Sequence, residues 1–77
     1  MARVLVVDDE PAVRRALERA LSLDNHDVEL AADGQEALDS LAASPADAVV
    51  LDVMMPRVDG LEVARRMRRA GDRTPIA

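Results

Sequence analysis

Two stretches of four residues, Val4-Leu5-Val6-Val7 and Ala48-Val49-Val50-Leu51, contain nothing polar, and each runs straight into aspartate. Asp8-Asp9 follows the first and Asp52 the second. A strand with one wet face alternates apolar and polar residues, so an unbroken apolar run reads as a strand covered on both faces. Such cover comes from helices that connect successive strands, and this connection makes the strands parallel. Most other chain architectures are excluded by that one feature.

The intervening sequence supplies the helices. After Asp8-Asp9-Glu10-Pro11, a helix start with proline where its missing N–H costs little, Val13, Ala16, Leu17, Ala20 and Leu21 fall at helical spacing. That stripe is expected to be buried, with Arg14, Arg15, Glu18 and Arg19 facing away. Asn25-His26-Asp27 is turn material, and Val28 to Ala31 is a short strand whose Glu29 marks an edge position. Asp33-Gly34-Gln35-Glu36 reads as a reciprocal cap. It opens a second helix with Ala37, Leu38, Leu41 and Ala42 inward, stopped by Ser44-Pro45. After Asp52, Val53 to Val58 is a loop, since Pro56 biases Met55 away from helical geometry. Asp59-Gly60-Leu61-Glu62 repeats the cap and leads a third helix with Leu61, Ala64 and Met67 inward, ended by Gly71. Thr74 to Ala77 resembles the beginning of a fourth strand.

The expected fold class is therefore α/β with a doubly wound parallel sheet, β1-α1-β2-α2-β3-α3 and the start of β4, all one domain over 1–77. Right-handed crossovers place the two doubly covered strands side by side in the order 2-1-3. The ligand crevice then lies between the C-terminal ends of strands one and three. Those ends carry Asp8, Asp9 and Asp52. Three like charges in one crevice repel, and a hard divalent cation that takes oxygen ligands and keeps several waters resolves the conflict. A carboxylate beside such a cation can attack a phosphoryl group. Taken singly, each acid is more simply a helix cap or a turn residue; their conjunction at one crevice favours a site.

Composition narrows the chemistry. Cysteine and aromatic residues are absent, which excludes disulfides, thiolate nucleophiles and aromatic stacking platforms. All ten bases are arginine, so no lysine is present for Walker-type phosphate binding or Schiff-base chemistry. A net charge of −5 argues against direct nucleic-acid binding by this chain. Arg65-Arg66-Met67-Arg68-Arg69 reads as a solvated helix face. His26 between Asp24 and Asp27 reads as a turn histidine in water rather than a metal ligand. No apolar run is long enough to span a bilayer and no basic-then-apolar leader opens the chain, so a cytoplasmic location is expected.

Val4-Leu5-Val6-Val7-Asp8-Asp9-Glu10-Pro11, Ala32-Asp33-Gly34, Asp52-Val53-Met54-Met55-Pro56 and Asp59-Gly60 together resemble the receiver domain of two-component response regulators. The resemblance runs through essentially the whole chain. It implies the flavodoxin-like receiver fold of order 2-1-3-4-5, here incomplete at its C-terminal end within strand four. It implies a phosphorelay in which a sensor histidine kinase donates a phosphoryl group to Asp52. It also implies Mg2+ on Asp9, Asp52 and the Met54 backbone carbonyl, with Asp8 acting through water. Such a domain is a signalling module rather than an enzyme, and controls a DNA-binding transcriptional output that lies outside this chain. The family's lysine after strand five has no counterpart here. A second reading is an interaction module: strand three would have little beside it, and the exposed sheet edge would pair with another copy or a complementing piece. A nucleotide or flavin binder of the same architecture is disfavoured, because no glycine-rich loop follows strand one.

Overall fold

A computed structural model describes residues 2–52 and 60–77. In chain order it contains β1 (Arg3–Val7), α1 (Pro11–Leu23), β2 (Asp27–Ala31), α2 (Gly34–Ala43), β3 (Ala48–Leu51) and α3 (Gly60–Arg69). The sheet is parallel in the order β2-β1-β3, with Val7 opposite Ala31 on one side and Leu51 on the other. The expected element order, strand order and parallel pairing are all present. The loop from Val53 to Val58 and the expected Asp59 cap lie outside the described residues.

The apolar runs behave as doubly covered strands. Leu5 and Val7 join Ala31, Ala37, Val49, Val63 and Met67 in one buried cluster. Val4 and Val6 are buried as well but outside that cluster, as alternation along a strand requires. β2 is the expected wetter strand, and its Glu29 pairs with Arg3 across the sheet edge.

The helices depart from the reading in three places. The α1 stripe is not buried: no α1 residue is, and Val13 is 41% exposed. Among the described elements α1 packs mainly against β1 and β2, so its cover comes chiefly from one sheet face. In α3 the inward residues are Val63 (0% exposed) and Met67 (2%), whereas Leu61 is 54% exposed. Gly60 is buried on the same face, at i and i+7 from Met67, so a residue without a side chain takes the place assigned to leucine. The α2 cap forms on one side only. Asp33 Oδ1 accepts the Glu36 N–H at 2.8 Å, but the Glu36 carboxylate accepts from Ala32 at 3.4 Å rather than from the cap residue.

β3 is also better partnered than expected. Ile76 bridges Val49 in parallel, with Val49 N–H donating to Pro75 (2.9 Å), Ala77 N–H to Val49 (2.8 Å) and Leu51 N–H to Ala77 (3.0 Å). The chain reaches that position through a tied turn. Gly71 adopts φ +82°, the Asp72 carboxylate accepts from both the Thr74 N–H and hydroxyl, and Arg68 donates to the Asp72 and Thr74 carbonyls. His26 is half-buried rather than wet, and its Nδ1 is buried with no hydrogen-bond partner among the described residues. No helix among the described residues is long and apolar enough to cross a membrane.

Truncating Met67→Ala should cost about 2–4 kcal/mol, while Leu61→Ala should stay within about 0.5 kcal/mol. Urea unfolding followed by far-UV circular dichroism separates the two, and equal costs would contradict the observed helix face. The hydroxyl and amide of Thr74, in that order, and then Arg68 hold the Asp72 carboxyl below its usual range. A lowered folded-state value stabilises the fold above the unfolded value, roughly pH 3.9, and that contribution is lost as pH falls through the folded value. The stability gap between the native chain and Asp72→Asn should therefore be present at neutral pH and close below about pH 4.

Candidate metal centre at the strand ends

The site is made by where two ladders stop. The Asp8 N–H donates to Ala31 of β2 at 3.1 Å, and the Asp52 N–H donates to Val7 of β1 at 3.0 Å. These rungs bring β1 and β3 out of the sheet at the same level, because Val7 and Leu51 are partners. One carboxylate oxygen from each of Asp8, Asp9 and Asp52 lies within 4.8 Å of the others. Asp8 and Asp52 are half-buried and Asp9 is exposed. Residues 44 apart in sequence thus share one rim, as the strand order requires.

The first turn after β1 is built by polar contacts. Asp8 Oδ1 accepts the Glu10 N–H at 2.9 Å, closing a tight turn that presents Asp9. Pro11 then opens α1. Arg14, assigned to the solvent face by its position in the helix, instead donates from Nη1 to the Asp8 carbonyl at 2.8 Å. Long helical side chains lean toward the helix N-terminus, so a residue in the first turn reaches back over the strand end. That directional rule is the signal by which the contact could have been found in the sequence.

An all-oxygen, all-carboxylate donor set suits a hard cation, and its openness leaves room for water ligands, which Mg2+ retains. Asp9 and Asp52 could ligate directly. Asp8, with Oδ1 engaged by Glu10, is suited to hold a metal-bound water. The Met54 carbonyl lies outside the described residues. Asp8, Asp9 and Asp52 are the one such acidic group among the described residues; Asp24, His26 and Asp27 do not form a second. The arginine run of α3 is partly spent locally: Glu62 accepts from Arg65 (3.4 Å) and Arg66 (3.0 Å). Its carboxyl is held below the usual range by the Arg66 bond above all.

The family model of the response regulator receiver domain matches residues 4–77. The chain belongs to the response regulator receiver family. It is 62% identical over 74 residues to the response regulator MprA of Mycolicibacterium vanbaalenii, covering 96% of this chain and 32% of that protein. The chain thus spans about a third of the length of the curated relatives it matches. Among solved structures, the receiver domain of Francisella response regulator 1452 superposes with a TM-score of 0.95 at 30% identity, covering 99% of this chain and 63% of that one. TrrA of Thermotoga maritima, solved with Mg2+ and BeF, superposes with a TM-score of 0.93 at 39% identity, over 99% and 66% of the two chains. TrrA has also been solved in complex with the histidine kinase ThkA. The receiver is a module of two-component signalling, and its doubly wound sheet is the flavodoxin-like fold these structures share.

Neutralising Asp9→Asn should have opposite effects with and without metal. It should raise the stability of the metal-free protein by roughly 0.5 kcal/mol, by relieving repulsion among exposed carboxylates. It should also remove most of the stabilisation that millimolar Mg2+ gives the native chain. Thermal unfolding with Mg2+ and with EDTA reads both, and two shifts of the same sign would contradict a shared cation site.

Proposed function

We propose that this receiver accepts a phosphoryl group on Asp52 from a phosphohistidine of a sensor histidine kinase. The observation that carries the reading is the convergence of Asp8, Asp9 and Asp52 at the ends of β1 and β3, within reach of one cation. In the transfer, an Asp52 carboxylate oxygen forms the new bond to phosphorus while the bond between phosphorus and the donor imidazole nitrogen breaks; the donor ring, protonated on its other nitrogen, keeps that proton and leaves as neutral imidazole. A bound Mg2+ would shield the incoming phosphoryl oxygens from the three carboxylates. Asp9 and Asp52 would hold that ion with the Met54 carbonyl, and Asp8 would orient one of its waters.

The chain's own residues do the positioning. The Asp52 N–H bond to Val7 fixes the acceptor relative to β1, and half-burial keeps its carboxylate next to the sheet rather than free in solvent. The kinase partnership is supported by the family and by the structure of TrrA with ThkA. In the intact protein, phosphorylation of Asp52 would control a DNA-binding transcriptional output. This part of the reading is supported by the likeness to response regulator MprA, of which the chain matches 32%.

The test is incubation with a small phosphoryl donor, acetyl phosphate or phosphoramidate, followed by intact-mass measurement. One phosphoryl adduct should appear with Mg2+, none with EDTA, and none in Asp52→Asn; Asp9→Asn should label at least about tenfold more slowly. An adduct that persists in Asp52→Asn would move the acceptor elsewhere.

A further inference from the structure

The turn that carries Asp8 and Asp9 is held at three points, one supplied by β2, one within the turn itself and the third by α1. The Asp8 N–H is the last rung to β2, and Asp8 Oδ1 closes the turn on the Glu10 N–H. The Asp8 carbonyl belongs to the peptide that leads into Asp9, and it accepts the partly buried Arg14 guanidinium. Arg14 is also fixed at its own backbone, donating its N–H to Glu10 at 3.0 Å in the first bond of the helix. The same residue therefore grips the turn at two carbonyls, Asp8 and Glu10. Its neighbour Arg15 is exposed, and no contact from it to the strand end is present among the described residues.

Charge alone would make Arg14 an unfavourable neighbour for a cation, because a guanidinium beside the site repels a divalent ion. Its contact is to a peptide oxygen, and that is a geometric constraint rather than a charge pair. Residues that orient metal ligands without touching the metal commonly change affinity by 10- to 100-fold when removed.

We propose that Arg14 is a positioning residue for cation binding: by holding the Asp8 carbonyl it fixes the Asp8–Asp9 peptide and so the direction in which the Asp9 carboxylate is presented. The proposal rests on the reading of Asp8, Asp9 and Asp52 as a Mg2+ site, and predicts that the two effects of Arg14 on the ion, repulsion and positioning, have opposite signs with positioning the larger.

The test compares the native chain with Arg14→Met, Arg14→Gln and Arg15→Met. The Met variants keep the aliphatic stem and remove the same charge. Amide hydrogen exchange at Glu10, measured by NMR without metal, should quicken about tenfold in both Arg14 variants and remain native in Arg15→Met. The Mg2+ dissociation constant, measured by calorimetry, should rise about tenfold in the Arg14 variants alone. The rise should be at least as large at roughly 500 mM KCl as at about 50 mM, because salt screens the opposing repulsion and leaves the positioning. Far-UV circular dichroism confirms that each variant folds, and the Gln variant keeps the test open if the Met variant does not.

Native Glu10 exchange in the Arg14 variants would overturn the proposal, whatever the metal does. Mg2+ binding that tightens in the Arg14 variants and loses the difference in high salt would overturn it too, leaving only repulsion. A native chain that fails to bind Mg2+ would instead refute the cation-site reading, while the Glu10 exchange would still decide whether Arg14 holds the turn.

Discussion

The pairing of β1 between β2 and β3 is the constraint on which the rest depends. It fixes the level at which Asp8 and Asp52 leave the sheet, and so forces three carboxylates to within 4.8 Å of one another. The relative sizes of the effects explain why the fold tolerates this. Two unit charges at such a separation in a water-like medium cost on the order of 1 kcal/mol. Each fully buried Val or Leu contributes about 1.5–3 kcal/mol, and Leu5, Val6, Val7, Val49 and Val63 are all essentially inaccessible. The apolar sheet outweighs the repulsion it creates, and the acids are held where they would not gather by themselves.

This balance explains which parts of the molecule could be read from the sequence. Val4 to Val7 announced a doubly covered strand because both of its faces are in fact buried, and the strand order then placed the acids without any distance being known. The α1 stripe was legible as a helix but not as a buried face, because burial depends on what lies over the helix, and among the described elements that is mainly β1 and β2. In α3 the apolar spacing of Leu61, Ala64 and Met67 concealed the true face, Gly60, Val63 and Met67. A buried glycine leaves no hydrophobic signal to read. The bond from Arg14 to Asp8 was missed for a different reason: residue spacing reports where a side chain starts, and a long one ends most of a turn away.

Charge is distributed in keeping with that division. From Gly60 onward five arginines stand against Glu62 and Asp72, and three of the five are bound to those acids or to nearby carbonyls. The charge of the basic segment is therefore only partly offset by its own acids, while carbonyls of the turn hold Arg68. At the strand ends three acids converge, with one carboxylate oxygen of each within 4.8 Å of the others. Arg14 meets a carbonyl there rather than a carboxylate.

Two kinds of force thus divide the work on the site. Apolar packing sets its location, by fixing β1 and β3 side by side with β3 held again by Ile76 on its far side. Polar contacts set its orientation, through Glu10 on the Asp8 side chain and Arg14 on the Asp8 carbonyl. The first is cooperative with the whole core and insensitive to any one surface residue. The second rests on a few exposed or half-buried bonds, each worth on the order of 1 kcal/mol. Substitutions on the first turn of α1 can therefore retune the rim while the sheet beneath it stays intact.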